Sequence, residues 1–134
     1  MNVEDIIGEQ CRRDCERTDP ATASTVRVAA IGLGWFTRGR ALPALVDSDR
    51  CEPTVLVIGS IEKADRIAGE FDAVKQTLTY EEYADGVGTD AYDAAYVCTP
   101  NAFHLDHATV AAEHGKHVLC EKPIERDSDR AEDL

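Results

Sequence analysis

The segment VRVAAIGLGWFTRGRALPAL, residues 26–45, constrains the fold more than any other part of the chain. It begins with a run of small and branched apolar residues over 26–31, which is typical of a buried strand. Gly32 and Gly34 follow at once and permit a sharp turn, after which the sequence favours a helix. At Pro43 we expect that helix to kink or restart, because proline lacks a backbone N–H and clashes with the preceding turn.

Strand-like and helix-like segments alternate along the rest of the chain. Apolar runs predict further strands over residues 54–58, 76–78, 94–98 and 117–120. Helices are predicted over 62–71, from Thr79, which stands at capping-box spacing from Glu82, and over 103–114 before Gly115. Strands that alternate with helices in one order imply right-handed crossovers. The fold class is therefore α/β, with a Rossmann-type doubly wound parallel sheet.

The alternating pattern is expected to begin near Thr25. Before it, residues 2–17 place apolar side chains at helical spacing, and residues 18–25 have the composition of a linker. We therefore divide the chain into an amino-terminal helix and linker over 1–24 and an α/β domain over 25–134. Because the last residues begin like another helix and stop after about two turns, we expect the sheet to be truncated before its last strand.

Composition excludes several classes of function. The 134 residues carry 26 acidic and 14 basic side chains, a formal charge of -12, so nucleic acid is not an expected partner. No apolar run approaches the roughly 18 residues of a membrane span, and a cytoplasmic protein is expected. Strong acidity with only four lysines beside ten arginines indicates a halophilic source. Five cysteines, an odd number, suit a reducing compartment.

A glycine turn between a strand and a helix is typical of dinucleotide-binding domains. Its first glycine allows the bend, and its second lets backbone amides approach a pyrophosphate at the start of the helix. Gly32 and Gly34 occupy these positions, whereas Thr37 replaces the third glycine, which normally lets the helix pack closely on the strand. We predict a pyrophosphate cradle here, and the alternative is a turn without a ligand. The other turn residues expected to bind the cofactor are Leu33, Trp35 and Phe36.

The end of the second strand predicts which cofactor is used. NAD-specific domains place an Asp or Glu there to bind the ribose 2'-hydroxyl. Here Gly59 and Ser60 occupy that neighbourhood, and Lys63 and Arg66 follow. A hydroxyl and cations favour the 2'-phosphate of NADP. Two alternatives stay open: Glu62 faces the ribose of NAD, or the cations form a solvated helix face.

The fourth and fifth strands run into CTPNAFHLDH and CEKPIE, at the strand ends where open parallel sheets bind ligands. We expect Lys122 to be catalytic, because an ammonium there could hydrogen-bond the oxygen whose carbon gives or receives a hydride. His104 lies in the first turn of the following helix beside Asn101 and could line the cofactor cleft. The peptide bond between Lys122 and Pro123 is a candidate for the cis form.

Other histidine and cysteine spacings do not complete a site. The histidine pairs three residues apart have no further ligands of suitable spacing, and neither do Cys11 and Cys15, so no metal is expected. We expect His107 and His114 to be exposed on their helix. A hydrolase is not expected either, since no nucleophile sits on a strand-to-helix elbow.

Four segments together resemble the Gfo/Idh/MocA family of sugar and cyclitol oxidoreductases: AAIGLGWF, VIGSIEKA, YVCTPNAFHLDHA and AAEHGKHVLCEKP. The resemblance implies that Gly32 and Gly34 bind the pyrophosphate and that His104 lies near the cofactor. It also implies that Thr99, Pro100 and Asn101 border the nicotinamide half. Glu121 and Lys122 are implied to reach the nicotinamide ribose and the substrate. Two residues depart from the family pattern, Thr37 and Ile58, the latter where many NADP-using members have serine.

The resemblance also implies an activity. Family members continue into a second α/β domain that binds substrate and forms oligomers, so the chain would be the cofactor-binding part of a homo-oligomeric enzyme, with the substrate domain absent. The implied reaction passes a hydride from the anomeric carbon of an aldose such as D-xylose to NADP and yields a lactone. The alternatives are an NAD-dependent sugar or cyclitol dehydrogenase or reductase of the same family and a non-catalytic module that senses NADP(H).

Overall fold

The computed structural model describes residues 24–123 and 128–132, and the predicted helix over 2–17 lies outside these ranges. The described strands are β1 (Val26–Ile31), β2 (Cys51–Val57), β3 (Gln76–Leu78), β4 (Ala94–Val97) and β5 (His117–Cys120). The described α-helices are α1 (Leu42–Val46), α2 (Ile61–Ala68), α3 (Tyr80–Ala84), α4 (His104–Glu113) and α5 (Ser128–Glu132). Across these ranges, no helix is long and apolar enough to cross a lipid bilayer.

The strands form one parallel sheet in the order β3-β2-β1-β4-β5. This order confirms the predicted Rossmann-type α/β fold. The chain moves outward from β1 through β2 to β3, then crosses back to β4 and moves outward the other way. In open sheets of this kind, ligands bind beyond the carboxyl ends of the strands where the order reverses, which is here between β1 and β4.

Helices cover both faces of the sheet, and the strands are therefore apolar on both sides. In β1, Ala29 and Ile31 belong to one buried cluster and Ala30 to the other. The cluster of Ala29 includes residues from α3 and α4, and that of Ala30 includes residues from α1 and α2. The short alternation in β1 thus places successive side chains on opposite faces, as strand geometry requires.

The first crossover helix changes its form just before Pro43. Residues 37–41 are π-helical, and the N–H of Leu42 bonds to the carbonyl of Thr37, five residues back. Pro43 then lies in the first turn of α1. The wider π turn accommodates a residue that has no N–H and whose ring would clash with a carbonyl one turn earlier. The helix predicted to kink or restart at Pro43 is disturbed there, but it continues without a break over residues 35–46 and changes only its hydrogen-bond pattern.

Other local predictions differ mainly at the ends of elements. β2 starts three residues earlier than predicted, at Cys51, and α2 ends at Ala68 instead of residue 71. The capping box is present: Thr79 Oγ1 accepts from the N–H of Glu82, and the Glu82 carboxylate accepts from the N–H of Thr79 at 2.8 Å. Gly115 follows α4 with φ of +70°, the conformation expected of a glycine that ends a helix.

The prediction that His107 and His114 are exposed is wrong, since both are half-buried. The His107 ring stacks on the Tyr80 ring with 4.9 Å between centroids. The backbone carbonyl of His107 accepts a hydrogen bond from Tyr83 Oη at 2.8 Å. Burial lowers the pKa of His107 below its usual value. The reason is tertiary: α3 packs against α4, which the periodicity of α4 by itself does not reveal.

An ion pair joins the start of β1 to the residue before β4. The Arg27 guanidinium donates to both carboxylate oxygens of Asp93, at 2.7 and 3.1 Å, and the backbone N–H of Arg27 donates at 2.9 Å. These hydrogen bonds lower the pKa of Asp93 to about 2. The two side chains are 39% and 41% exposed, so solvent screens much of the attraction.

Asp93→Asn is expected to lower the free energy of unfolding by about 1 kcal/mol at pH 7, after allowance for that screening. Because the folded pKa lies below the ordinary 3.8, the contribution is complete above that pH and is lost as the pH falls towards about 2. Urea unfolding of the unaltered chain and of Asp93→Asn, at pH 7 and at pH 2, measures the difference in their free energies of unfolding at each pH. The exposed Asp72→Asn is the control, and an Asp93→Asn deficit that stayed constant down to pH 2 would contradict the assignment.

Candidate active site

The carboxyl ends of β1, β4 and β5 surround a cavity of about 350 Å³. Three segments that the sequence singled out meet there: the glycine turn and the segments after β4 and β5. The lining residues are Trp35, Phe36, Cys98, Thr99, Asn101, His104, Glu121, Lys122 and Pro123. The cavity lies where the strand order reverses, the position at which this class of sheet binds its ligands.

The two glycines of the turn differ in what surrounds them. Gly32 has φ of +89°, and a Cβ there would lie 2.7 Å from the carbonyl oxygen of Cys98, so the turn packs directly on the end of β4. A Cβ at Gly34, in contrast, would have no atom within 4 Å. The space over Gly34, together with the helix that starts after it, leaves room for a phosphate to approach the backbone. The turn therefore fits a pyrophosphate.

Of the remaining turn residues, Leu33 lies in the hydrophobic core, and Trp35 and Phe36 lie at the rim of the cavity. The Leu33 side chain is 2% exposed and packs with Ala30 and Leu56, so only its backbone can contact a cofactor. Trp35 is 79% exposed, and its ring meets Phe36 edge to face at 5.8 Å between centroids. The rim of the cavity next to the turn is thus aromatic.

Thr37, at the position of the third glycine, is fully buried. Its Oγ1 has no hydrogen-bond partner among the described residues. The helix therefore accepts a larger side chain here than glycine, and the Thr37 hydroxyl is buried as a result. Thr37 is also the first residue of the π-helical segment.

His104 links two segments of the cavity wall. It is 2% exposed, its Nε2 lies 2.8 Å from the carbonyl oxygen of Thr99, and its Nδ1 lies 3.0 Å from that of Pro123. A neutral imidazole has one N–H and can donate to only one of these carbonyls, whereas an imidazolium donates to both. His104 therefore holds the segment after β4 to the segment after β5. The peptide bond before Pro123 is cis, as predicted.

Glu121 and Lys122 follow β5 directly. One carboxylate oxygen of Glu121 accepts from Tyr96 Oη at 2.6 Å, and the other accepts from the backbone N–H of Lys122 at 3.2 Å. The Tyr96 hydroxyl lowers the pKa of Glu121 below its usual value, with a smaller effect from that N–H. Lys122 is exposed at the cavity, where its ammonium can reach a bound molecule.

Sequence reasoning missed Tyr96 because it lies inside β4 and is expected to be part of the apolar core. The only signal for it was a tyrosine in an otherwise aliphatic strand, since buried tyrosine hydroxyls usually have a polar partner. Cys98, which lines the cavity, was missed in the same way.

Ser60 and Lys63 lie away from this cavity, after β2. Ser60 caps α2: its Oγ accepts from the N–H of Lys63 at 3.4 Å and donates to the Glu62 carboxylate at 3.2 Å. Because β2 is next to β1 in the sheet, these residues lie on the other side of the glycine turn from Lys122. An extended dinucleotide that crosses the turn reaches both ends.

A larger apolar groove of about 570 Å³ lies on the sheet face beside α1, and Val26, Tyr96 and Leu119 are among its lining residues. Its lining is mainly apolar, with Arg40 and Ser48 as exceptions, and the segments after β4 and β5 do not line it. We therefore assign the candidate site to the smaller cavity. Within 24–123 and 128–132, no three His, Cys, Asp or Glu side chains come together in a way that could hold a metal ion.

Comparison with known proteins agrees with this geometry. Residues 26–134 match the family described as "Oxidoreductase family, NAD-binding Rossmann fold". The chain belongs to the Gfo/Idh/MocA oxidoreductase family. The resemblance noted from the sequence motifs is thus confirmed.

Two curated relatives are informative. D-xylose 1-dehydrogenase [NADP(+)] of Haloarcula marismortui is 48% identical over 98% of this chain and 36% of that protein, which shows that within the family the chain resembles a haloarchaeal D-xylose 1-dehydrogenase. The scyllo-inositol 2-dehydrogenase (NADP(+)) IolU of Bacillus subtilis is 34% identical over 81% of this chain and 32% of that protein. The chain thus spans about a third of the length of these relatives.

Solved structures share the fold. The 3-ketoreductase KijD10 from Actinomadura kijaniata, in complex with TDP-benzene and NADP, is 32% identical and superimposes with a TM-score of 0.73 over 81% of this chain and 33% of that one. The aldose-aldose oxidoreductase from Caulobacter crescentus is 27% identical, with a TM-score of 0.76 over 82% of this chain and 33% of that one.

Proposed function

We propose that the chain is the cofactor-binding part of an NADP-dependent aldose 1-dehydrogenase that acts on D-xylose. The observation that carries this proposal is the cavity at the carboxyl ends of β1, β4 and β5, which joins an open glycine turn to an exposed lysine. The NADP(+)-dependent D-xylose dehydrogenase from Haloarcula marismortui supports both the cofactor and the sugar. The relative's source and the acidity of the chain support a halophilic, cytoplasmic protein.

Residues at the carboxyl edge of the sheet have different roles in this proposal. The backbone at Gly32 and Gly34 would hold the pyrophosphate, and Thr99, Pro100 and Asn101 would border the nicotinamide. When bound, the cofactor would supply an acceptor for the hydride on the anomeric carbon of the sugar. Lys122 hydrogen-bonds the sugar oxygen on that carbon. The oxygen's proton passes to a base outside this chain, and the product is a lactone. Glu121 binds hydroxyls of the nicotinamide ribose.

The end of β2 sets the preference for NADP. Ser60 and Lys63 offer a hydroxyl and an ammonium to the 2'-phosphate, whereas the Glu62 carboxylate, 3.2 Å from Ser60 Oγ, repels it. Glu62 could instead accept the 2'-hydroxyl of NAD, which keeps an NAD-dependent enzyme as the second candidate. The two candidates predict opposite effects of neutralising Glu62.

Glu62→Gln is expected to strengthen NADPH binding and Lys63→Ala to weaken it, each about fivefold, because one exposed charge contact contributes about 1 kcal/mol. Neither change should alter NADH binding more than twofold, since NADH lacks the 2'-phosphate. Fluorescence titration of the purified chain with each nucleotide measures both. Lys75→Ala, on an exposed residue outside the site, is the control.

Tighter binding of NADH than of NADPH by the unaltered chain would overturn the NADP assignment. Weaker NADH binding in Glu62→Gln would then identify Glu62 as the ribose ligand.

A further inference from the structure

Three tyrosines are nearly or fully buried in the described residues, and their hydroxyls have different partners. Tyr83 and Tyr92 are 0% exposed and Tyr96 is 7% exposed. Tyr83 Oη donates to the carbonyl of His107, and the Tyr92 hydroxyl has no hydrogen-bond partner among the described residues. Tyr96 Oη alone of the three donates to a residue of the candidate site, the carboxylate of Glu121.

The position of Tyr96 in the sheet explains this contact. Tyr96 pairs with Ala30 of β1 and with Leu119 of β5, so its ring lies on the apolar face beside α1. Its hydroxyl meets Glu121, whose own backbone N–H bonds to the carbonyl of Val97 at 2.9 Å. A phenylalanine would fill the same apolar position, and the hydroxyl is therefore not needed for packing.

The two hydrogen bonds to Glu121 restrict both of its oxygens. The Tyr96 hydroxyl occupies one and the N–H of Lys122 the other, at 2.6 and 3.2 Å. A carboxylate has about four lone-pair positions, so each oxygen keeps one that can accept a further hydrogen bond. Glu121 is half-buried at the cavity, and these positions are accessible to a ligand.

We propose that Tyr96 is a positioning residue that acts through Glu121, holding the carboxylate so that its remaining lone pairs accept the hydroxyls of the nicotinamide ribose. The proposal rests on the proposed function for the identity of the ligand. Tyr96, a residue inside β4, would thus affect the affinity for the cofactor without direct contact with it.

The pKa of Tyr96 is raised mainly by burial. Glu121 and the Cys98 thiol are the ionisable groups that raise it further.

The test compares Tyr96→Phe with Tyr83→Phe in the purified chain. Each variant loses one buried hydroxyl and its hydrogen bond, but only Tyr96→Phe alters Glu121. We expect Tyr96→Phe to weaken NADPH binding about tenfold, because a hydrogen bond to a charged group is lost. Tyr83→Phe should leave NADPH binding within twofold. Equal effects of the two variants would overturn the proposal.

A double-mutant cycle with Glu121→Ala shows whether Tyr96 acts through Glu121. If it does, Tyr96→Phe has no further effect on NADPH binding once the carboxylate is gone. An undiminished tenfold effect in the Glu121→Ala background would overturn the proposal.

The Glu121 carboxyl pKa, measured by carbon NMR without cofactor, is a readout that a purely structural tyrosine does not change. We expect it below the ordinary value in the unaltered chain and in Tyr83→Phe, and higher in Tyr96→Phe. An ordinary value in the unaltered chain would overturn the proposal even if Tyr96→Phe fails to fold. Failure of the unaltered chain to bind NADPH would contradict the proposed function instead, while a depressed carboxyl pKa would still support the contact.

Discussion

Lys122→Ala is expected to lower kcat for aldose oxidation by a factor of about 10²–10⁴. A positioned group that transfers a proton or donates a hydrogen bond accelerates such steps by a factor in this range. The measurement requires a full-length polypeptide that carries this segment, since the curated relatives are about three times as long. Lys122 is exposed at the cavity and contributes little to the core. The variant should therefore keep the unfolding midpoint of the parent, and the loss should appear in turnover.

Cofactor binding separates a catalytic role of Lys122 from a binding role. In the chain itself, Lys122→Ala should change the Kd for NADPH by less than about fivefold, because the pyrophosphate and the adenosine half account for most of the contacts. Lys75→Ala, an exposed lysine after α2, is the control for charge. Turnover of Lys122→Ala within a few fold of the parent would remove the catalytic role. A parent with no activity on any aldose would favour the cofactor-sensing module.

Gly32→Ala is expected to lower the free energy of unfolding by about 3 kcal/mol, which is a large share of the stability of a small domain. Two costs combine. Gly32 has φ of +89°, which L side chains rarely adopt, and the new Cβ would lie 2.7 Å from the Cys98 carbonyl oxygen and 2.9 Å from Thr99 Cγ2. Because the closest contact is with backbone, the strand ends must move apart. Denaturant unfolding followed by circular dichroism measures the loss.

Gly34→Ala and Gly39→Ala are the matched variants for this measurement. Neither glycine has a positive φ, and neither has an atom within 4 Å of a Cβ position. Both variants should keep the stability of the unaltered chain within about 1 kcal/mol. Gly34→Ala should nonetheless weaken NADPH binding at least tenfold, because a methyl group would fill the space that the pyrophosphate needs. A destabilised Gly34→Ala or a stable Gly32→Ala would contradict the division of roles between the two glycines.

The residues that the sequence predicted best are those whose position depends on local pattern and chain order. The run before Gly32 and the segments that end at Cys98 and Cys120 were recognisable as strands, and parallel strands bring their carboxyl ends to one edge. That was sufficient to place the glycine turn, Asn101 and Lys122 around one site. The capping box at Thr79 is likewise a local effect of a side-chain hydrogen bond, and the change of helix form before Pro43 is a local effect of a missing N–H.

The sequence by itself therefore determined the fold class, the family and the edge of the sheet at which ligands bind. The tertiary structure decided which atoms meet there: His104 lies between two carbonyls from different segments, Tyr96 donates to Glu121 across neighbouring strands, and the Leu33 side chain lies in the core. It also decided that His107 is half-buried. The physical reason is that these contacts join residues from separate elements, and their geometry depends on sheet register and helix packing, which no periodicity along a single segment encodes.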